Sequence, residues 1–336
     1  MYSEDQLIKR VSAAFSFPEQ SKSRPTATPR VRLGIGDDAA IVSQNGKIDQ
    51  VFTCDAFMEG IHFIPDSYPP ESVGYKSLVR ATSDLAAMGA TPRFFLLTLA
   101  LPAERTGVWL TGFLQGMRRA SRYLGIHLIG GDTTRFPRIA ISITCIGEVP
   151  SGQGVTRSGA RPGDIIYVSG TLGKAQLGLE LMRRGLGNKV HYRQFLRTHL
   201  YPRIQVELGG WLARHGLATA MMDISDGLST DLSRLCTASN VGARLTESRI
   251  PRVEVPPRLS TQRPKLSPLQ MALHGGEDYE LLFTVSPKSR ARLRRAPGFR
   301  DLVEIGEITR EKRFLLIAPN GEARGLEPEG WDPFSQ

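Results

Sequence analysis

The sequence predicts an α+β, or mixed α/β, protein in two domains, and three observations lead there. At 336 residues the chain is long enough for about two domains. Short β-branched or alternating runs are interleaved with helix-period apolar stripes from one end to the other. A glycine- and serine-rich stretch, Pro150-Ser-Gly-Gln-Gly-Val-Thr-Arg-Ser-Gly159, divides an N-terminal unit at 1–149 from a second unit at 150–336. The first unit's strands follow one another closely enough to allow a mixed sheet, which argues against a doubly wound parallel fold.

The elements follow in order. Ser3 with Gln6 is a capping-box pattern, and Leu7, Ile8, Val11 and Phe15 form one helical stripe, so a helix is expected over 4–15. Residues 16–30 hold three prolines among polar residues and read as a loop. Strands are expected at 38–43 and 50–55, then a helix from Pro69-Pro70 to Met88 that Gly89 ends. A strand at 93–101 precedes an amphipathic helix at 104–124 carrying Trp109, Phe113 and Met117, and the alternating, β-branched run at 139–147 is a strand. In the second unit a strand at 164–169 turns through Gly170–Gly173 into a helix ending near Gly185. Helices are expected at 203–215 and 226–239, strands at 243–246, 280–285 and 303–308, and an irregular segment from Gly321.

With 40% hydrophobic and 23% charged residues the chain has the composition of an ordinary globular protein. Its longest apolar runs, Phe94–Leu101 and Ile139–Ile146, fall far short of the ~20 residues of a membrane-spanning helix. Three cysteines, Cys54, Cys145 and Cys236, make neither a disulfide framework nor a zinc site. A reducing, cytoplasmic location is expected, with no membrane partner. The net charge of +10 favours anionic ligands. The basic run Arg290-Ala-Arg-Leu-Arg-Arg295 lacks interleaved aromatics and reads as a solvated helix face, so no nucleic acid is expected.

Two nucleotide motifs fail on inspection. Gly34-Ile-Gly36-Asp-Asp-Ala39 runs into an apolar strand where a dinucleotide fingerprint needs a helix. Gly173-Lys174 lacks the first glycine and the following hydroxyl residue of a P-loop. The informative pattern is acidic: Gly36-Asp37-Asp38, Thr53-Cys54-Asp55, Thr82-Ser83-Asp84, Gly130-Gly131-Asp132-Thr133-Thr134, Asp223-Ile-Ser225-Asp226-Gly227 and Gly275-Gly276-Glu277-Asp278. Any one of these reads equally well as a turn or cap, and Asp226 could simply cap the helix that follows it. Asp84 differs, because it falls beside the apolar face of a helix, where a carboxylate needs a partner. Six such motifs without a Cys/His set suit hard divalent cations bridging to a polyphosphate, and hence phosphoryl transfer without a P-loop. His62, His127 and His274 are isolated in sequence, and no Ser/His/Asp or Cys/His constellation is visible.

These motifs, together with Asp55-Ala-Phe-Met-Glu-Gly-Ile-His62-Phe63, Ser83-Asp-Leu-Ala-Ala-Met-Gly-Ala90, Arg157-Ser-Gly-Ala-Arg-Pro-Gly-Asp164, Gly275-Gly-Glu-Asp-Tyr-Glu-Leu281 and Gly330-Trp-Asp-Pro-Phe334, resemble the thiamine-monophosphate kinase family in content and order over about residues 33–334. That family belongs to the aminoimidazole ribonucleotide synthetase superfamily. The resemblance implies an N-terminal mixed sheet with helices on one face, a C-terminal α/β domain that completes the site, and a homodimer formed through the N-terminal sheet. It further implies several Mg²⁺ ions on Asp38, Thr53, Cys54, Asp55, Asp84, Asp132, Asp223 and Asp226. ATP is expected at Gly131, Asp132, Arg157 and Ser225, and thiamine phosphate at His62, Glu277 and Trp331. The chain departs from the family pattern at Cys54, at Arg80-Ala81-Thr82 and in the length of the 16–30 loop. A thiol is a poor ligand for Mg²⁺, so position 54 is expected to contribute its backbone carbonyl.

The expected chemistry is in-line attack by the phosphate of thiamine phosphate on the γ-phosphorus of ATP. That nucleophile is already ionised at neutral pH, so no side chain is expected to act as base or nucleophile. Two alternatives stand: another ATP-dependent synthetase of the superfamily, and a non-catalytic magnesium–nucleotide sensor.

Overall fold

A computed structural model describes residues 3–14, 30–43, 46–187, 189–260, 265–295, 298–299 and 301–334. Ser3 and Gln6 cap each other reciprocally, Ser3 N–H donating to Gln6 Oε1 at 3.1 Å and Gln6 N–H to Ser3 Oγ at 3.4 Å. They start α1 (Glu4–Ala14) as the pattern predicts. The loop expected over 16–30 lies outside the described residues, save Arg30, which opens β1 (Arg30–Leu33).

The first sheet adds β2 (Ala40–Ser43), β3 (Ile48–Met58), β4 (Thr91–Leu101), β5 (His127–Arg135) and β6 (Ala140–Pro150), in the order β1-β2-β3-β6-β4-β5. The β4–β5 pair is parallel and the other pairs are antiparallel, so the sheet is mixed. Two helices, α2 (Pro70–Ala87) and α3 (Val108–Leu124), pack against each other, and α2 lies over β3, β4 and β6. Alternation sorts β3, β4 and β6: Phe57, Phe95, Leu97, Leu99, Ile141 and Ile143 are buried under the helices, while Phe94 and Leu96 stay exposed on the outer face. The helices meet backbone to backbone. A Cβ on Gly74 would lie 1.9 Å from the Phe113 carbonyl oxygen, and one on Gly116 would lie 1.8 Å from that of Glu71.

The second half contains β7 (Ile165–Val168), α4 (Lys174–Arg183), α5 (Arg193–Leu200), α6 (Val206–Arg214), β8 (Ala218–Asp223), α7 (Leu228–Ser239), β9 (Gly242–Thr246), α8 (Pro257–Ser260), α9 (Pro268–His274), β10 (Leu281–Val285), α10 (Arg290–Leu293), β11 (Val303–Thr309), β12 (Phe314–Ile317) and β13 (Ala323–Gly325). Its seven strands run β13-β12-β9-β11-β7-β10-β8, with β9–β12 the parallel pair. Every residue of β7 and β10 is buried, as expected of central strands covered on both faces. The two mixed sheets with their helices match the fold class expected from sequence.

Several elements leave no usable pattern. β5 is exposed at every residue and carries two glycines, so it shows no hydrophobic period. β1 is exposed at its first three residues. β8 runs apolar without alternation, and α5, α8 and α9 are short, whereas α10 falls on the run read as a helix face. β13 is the one short strand in the segment read as irregular from Gly321. The two halves share packing, because Leu200, Ile204 and Tyr279 join the core built on Leu78, Val79 and Leu85 of α2. Among the described residues no helix is long and apolar enough to cross a membrane.

Candidate active site

One face of α2 is the spine of the site. Lys76, Arg80, Ser83 and Asp84 are spaced i, i+4, i+7 and i+8, which stacks them along one side of a helix. Together they meet three segments. Lys76 Nζ lies 2.7 Å from Glu277 Oε1. Arg80 Nε and Nη2 donate to Asp55 Oδ2 and Oδ1 at 2.7 and 3.2 Å. Ser83 Oγ donates to Asp223 Oδ2 at 2.6 Å, and Asp84 Oδ2 accepts from Thr53 Oγ1 at 2.5 Å. The helix thus gathers acids from β3, from the end of β8 and from the Gly275–Glu280 segment.

At its C-terminal end, Asp38, Asp84 and Asp223 bring carboxylate oxygens within 4.8 Å of one another. Burial and then the neighbouring Asp223 charge push the Asp84 carboxyl well above its ordinary value. Burial and then Asp38 push Asp223 up to about 7. Arg157 is the cation nearest this group, donating from Nε to Asp38 Oδ1 at 3.0 Å and from Nη2 at 2.5 Å, while its backbone N–H reaches Asp37. Burial, reinforced by Asp38, raises Asp37 to about 6. Asp38 Oδ2 is buried without a hydrogen-bond partner in the protein. Three crowded carboxylates, an oxygen left over and no sulfur or imidazole among the donors fit a hard divalent cation.

The Asp223–Gly227 turn is held by a residue the sequence did not single out. Asp231 Oδ2 accepts from the backbone N–H groups of Ser225, Asp226 and Gly227, each at 3.1 Å. Asp226 therefore does not cap α7; Gly227 stands at the cap without a side-chain bond, and Arg234 pairs with Asp226. The same turn carries two further motifs: Glu277 N–H donates to Ser225 O at 2.8 Å and Trp331 N–H to Asp226 O at 3.0 Å. Three motifs far apart in sequence thus meet at one turn.

Glu277 lies in the left-handed region at φ 68°, and its second oxygen is 3.2 Å from His199 Nδ1. Tyr68 Oη pairs with His199 Nε2 at 2.8 Å, which extends the network. Burial opposes ionisation of Glu277, but the Lys76 ammonium and His199 hold its carboxyl well below the usual range. His62 Nδ1 accepts the Met58 N–H at 3.0 Å. Burial and then Arg80 lower His62 to about 4, so at neutral pH it is uncharged with its proton on Nε2.

Two sites expected from sequence stand apart. Cys54 alternates to the opposite face of β3 from Thr53 and Asp55, and its Sγ lies 3.5 Å from Ser142 Oγ. Gly131 and Asp132 lie on edge strand β5, where Asp132 pairs in register with Thr98, Thr98 with Ser142, and Ser142 with Ala56. Two strands separate Asp132 from β3, roughly 14 Å at the usual spacing, and its register row is the outer one. Within one chain Asp132 does not join the acid cluster. Of the residues missed from sequence, Lys76 was within reach, since it shares the helical stripe of Asp84. His199, alone in a short helix, gave no signal.

The comparisons agree with this fold. Residues 36–149 match the family described as AIR synthase related protein, N-terminal domain, and residues 161–318 its C-terminal domain. The fold is that of AIR synthase-related proteins. Within that class the chain is 37% identical over 309 residues to thiamine-monophosphate kinase of Escherichia coli strain K12, covering 91% of this chain and 93% of the relative. It is 32% identical over 313 residues to that of Bacillus subtilis strain 168, covering 90% and 94%. The solved structure of AaThiL complexed with AMPPCP and TMP superposes with a TM-score of 0.82 at 31% identity, covering 99% of this chain and 97% of that one. The chain belongs to the thiamine-monophosphate kinase family, whose members are phosphotransferases.

Proposed function

We propose that this chain transfers the γ-phosphoryl group of ATP to the phosphate of thiamine phosphate, giving thiamine diphosphate. The observation that carries this reading is the Asp38–Asp84–Asp223 cluster, bounded by Arg157 on one side and the Ser225–Glu277 turn on the other. Magnesium held there by Asp38, Asp84 and Asp223, with Thr53, Asp55, Asp226 and the Cys54 carbonyl alongside, would neutralise phosphate charge.

The chain's own residues do the rest. Arg157 offers a guanidinium fork to the nucleotide phosphates, and Ser225 sits on the turn that Asp231 fixes. Trp331 and Glu277 hang from the neighbouring carbonyls of Asp226 and Ser225, which brings to this turn an indole suited to the thiazolium cation, and His62 would complete the substrate site. Glu277 is already neutralised by Lys76, so it shapes this pocket more than it attracts the cation. The acceptor phosphate is ionised at neutral pH, so no general base is required, and catalysis rests on positioning and electrostatics.

The outer face of the first sheet exposes Phe94 and Leu96, and the edge strand β5 exposes Leu128 and Ile129. A second copy seated there would cover these side chains, and Gly131 and Asp132 would then reach the nucleotide across the interface of a homodimer. The reaction belongs to the cytoplasm, where ATP and magnesium are at hand. An ADP-release assay tests the whole. ADP should appear only when ATP, magnesium and thiamine phosphate are present together. Turnover with a purine precursor instead would favour a synthetase, and nucleotide binding without ADP release a sensor.

A further inference from the structure

Arg80 stands inside the acidic site and has no place in the chemistry above. Its guanidinium occupies both oxygens of Asp55, at 2.7 and 3.2 Å, and lies 5.6 Å from the centroid of the Phe57 ring. The pair is open to the cleft, with 20% of the Arg80 and 27% of the Asp55 side chain exposed. A fork that uses both oxygens of a carboxylate takes one lone pair from each, and a metal that approaches the same side must compete for them. Asp84, one helical turn further along the same face, instead takes a neutral hydroxyl from Thr53.

We propose that Arg80 is a built-in counter-cation for Asp55 which a divalent ion must displace, so that this residue sets the metal affinity of the site. The proposal rests on the assignment of Asp55 as a metal ligand. Displacement breaks two charge-assisted hydrogen bonds and leaves the guanidinium in the cleft. Arg80 therefore weakens metal binding to the substrate-free enzyme and lends the acid cluster a positive charge when metal is scarce.

The test uses full-length protein without nucleotide. Mn²⁺ is titrated by electron paramagnetic resonance, and the rise in Tm on adding Mg²⁺ to EDTA-treated protein is measured. Arg80→Met should bind Mn²⁺ roughly five-fold more tightly than wild type, as expected from release of a partly exposed ion pair. It should also show a larger Mg²⁺-induced rise in Tm. Arg80→Lys, which keeps the charge but loses the fork, should fall between the two and guards against a poorly folded methionine variant. Equal Mn²⁺ affinity in Arg80→Lys and wild type would overturn the proposal, as would weaker binding in a folded Arg80→Met. Asp55→Asn separates the two layers. If it binds Mn²⁺ like wild type, the ligand assignment fails and this proposal with it. If it binds weakly while the Arg80 variants match wild type, only the counter-cation role fails.

Discussion

Glu277 and the Asp38–Asp84–Asp223 cluster are neighbours on the same face of α2, yet their carboxyl groups are driven in opposite directions. Both pay the cost of burial. For Glu277 the protein supplies Lys76 and His199, and the carboxyl is held far below its ordinary value. In the cluster Asp38 is met by Arg157, but for Asp84 and Asp223 the main electrostatic neighbour is another acid, and both are held far above their ordinary values. The difference separates architecture from ligand site. Glu277, already neutralised by the chain, serves the scaffold, whereas Asp84 and Asp223, left to repel one another, call for a cation from solution.

Three experiments can break or sharpen that contrast. The largest effect is expected at Asp84→Asn. Turnover should fall by on the order of 10³-fold, the scale seen when a single electrostatic group is removed from a transition state. The metal-free protein should meanwhile gain heat stability as one repelling charge disappears. An amide variant that turned over normally would show that the cluster is not the metal site.

Glu277→Gln should do the reverse, destabilising the protein by roughly 3–5 kcal/mol because it strands a buried ammonium. The double variant Lys76→Met/Glu277→Leu should recover much of that loss in a urea titration, since both charges then leave together. If the single variant unfolds no more easily than wild type, Glu277 is not a scaffold residue.

The pH dependence follows with its sign. Asp223 ordinarily loses its proton near 3.8 but keeps it up to about 7 in the folded chain. Between those values Asp223 binds more proton in the folded state than in the unfolded one, so its contribution to the stability of the metal-free protein falls as pH rises from about 4 to about 7, against a smaller opposite contribution from His62 below about 6.5. Saturating magnesium should flatten the curve. Glu277, shifted the other way, contributes stability above its unfolded value that is lost only in strong acid. A Tm measured in EDTA that rose from pH 5 to pH 7 would contradict the reading of the cluster.

How much of this was legible beforehand depended on what each residue's neighbours in sequence reveal. The aspartates stood out because each sits among glycine, serine or threonine, a context that short-range chemistry explains. Their convergence on α2 was only half visible: Asp84 and Lys76 share a helical stripe, but which strand faces that stripe is a matter of topology. Register is harder still. Nothing local says that β5 pairs in parallel with β4, and that pairing is what puts two strands between Asp132 and β3. Asp231 was hidden because its carboxylate serves the backbone of the preceding turn, a task that many residues at a helix start could be doing.

Cys54 carries the smallest expected effect and tests the finest point. Strand alternation sends its thiol to the outer face, toward Ser142, while Thr53 and Asp55 point to the helix side. A sulfur is also too soft to serve magnesium. If position 54 contributes at all, it does so through its carbonyl, which is the same atom whatever the side chain. Cys54→Ser and Cys54→Ala should therefore agree with each other and with wild type within about two-fold in kcat and in the magnesium concentration for half-maximal rate, since a surface substitution rarely exceeds ±0.5 kcal/mol. A serine variant with clearly tighter magnesium dependence than the alanine variant would mean that the side chain reaches the metal. The two faces of β3 would then not be separate in the working enzyme.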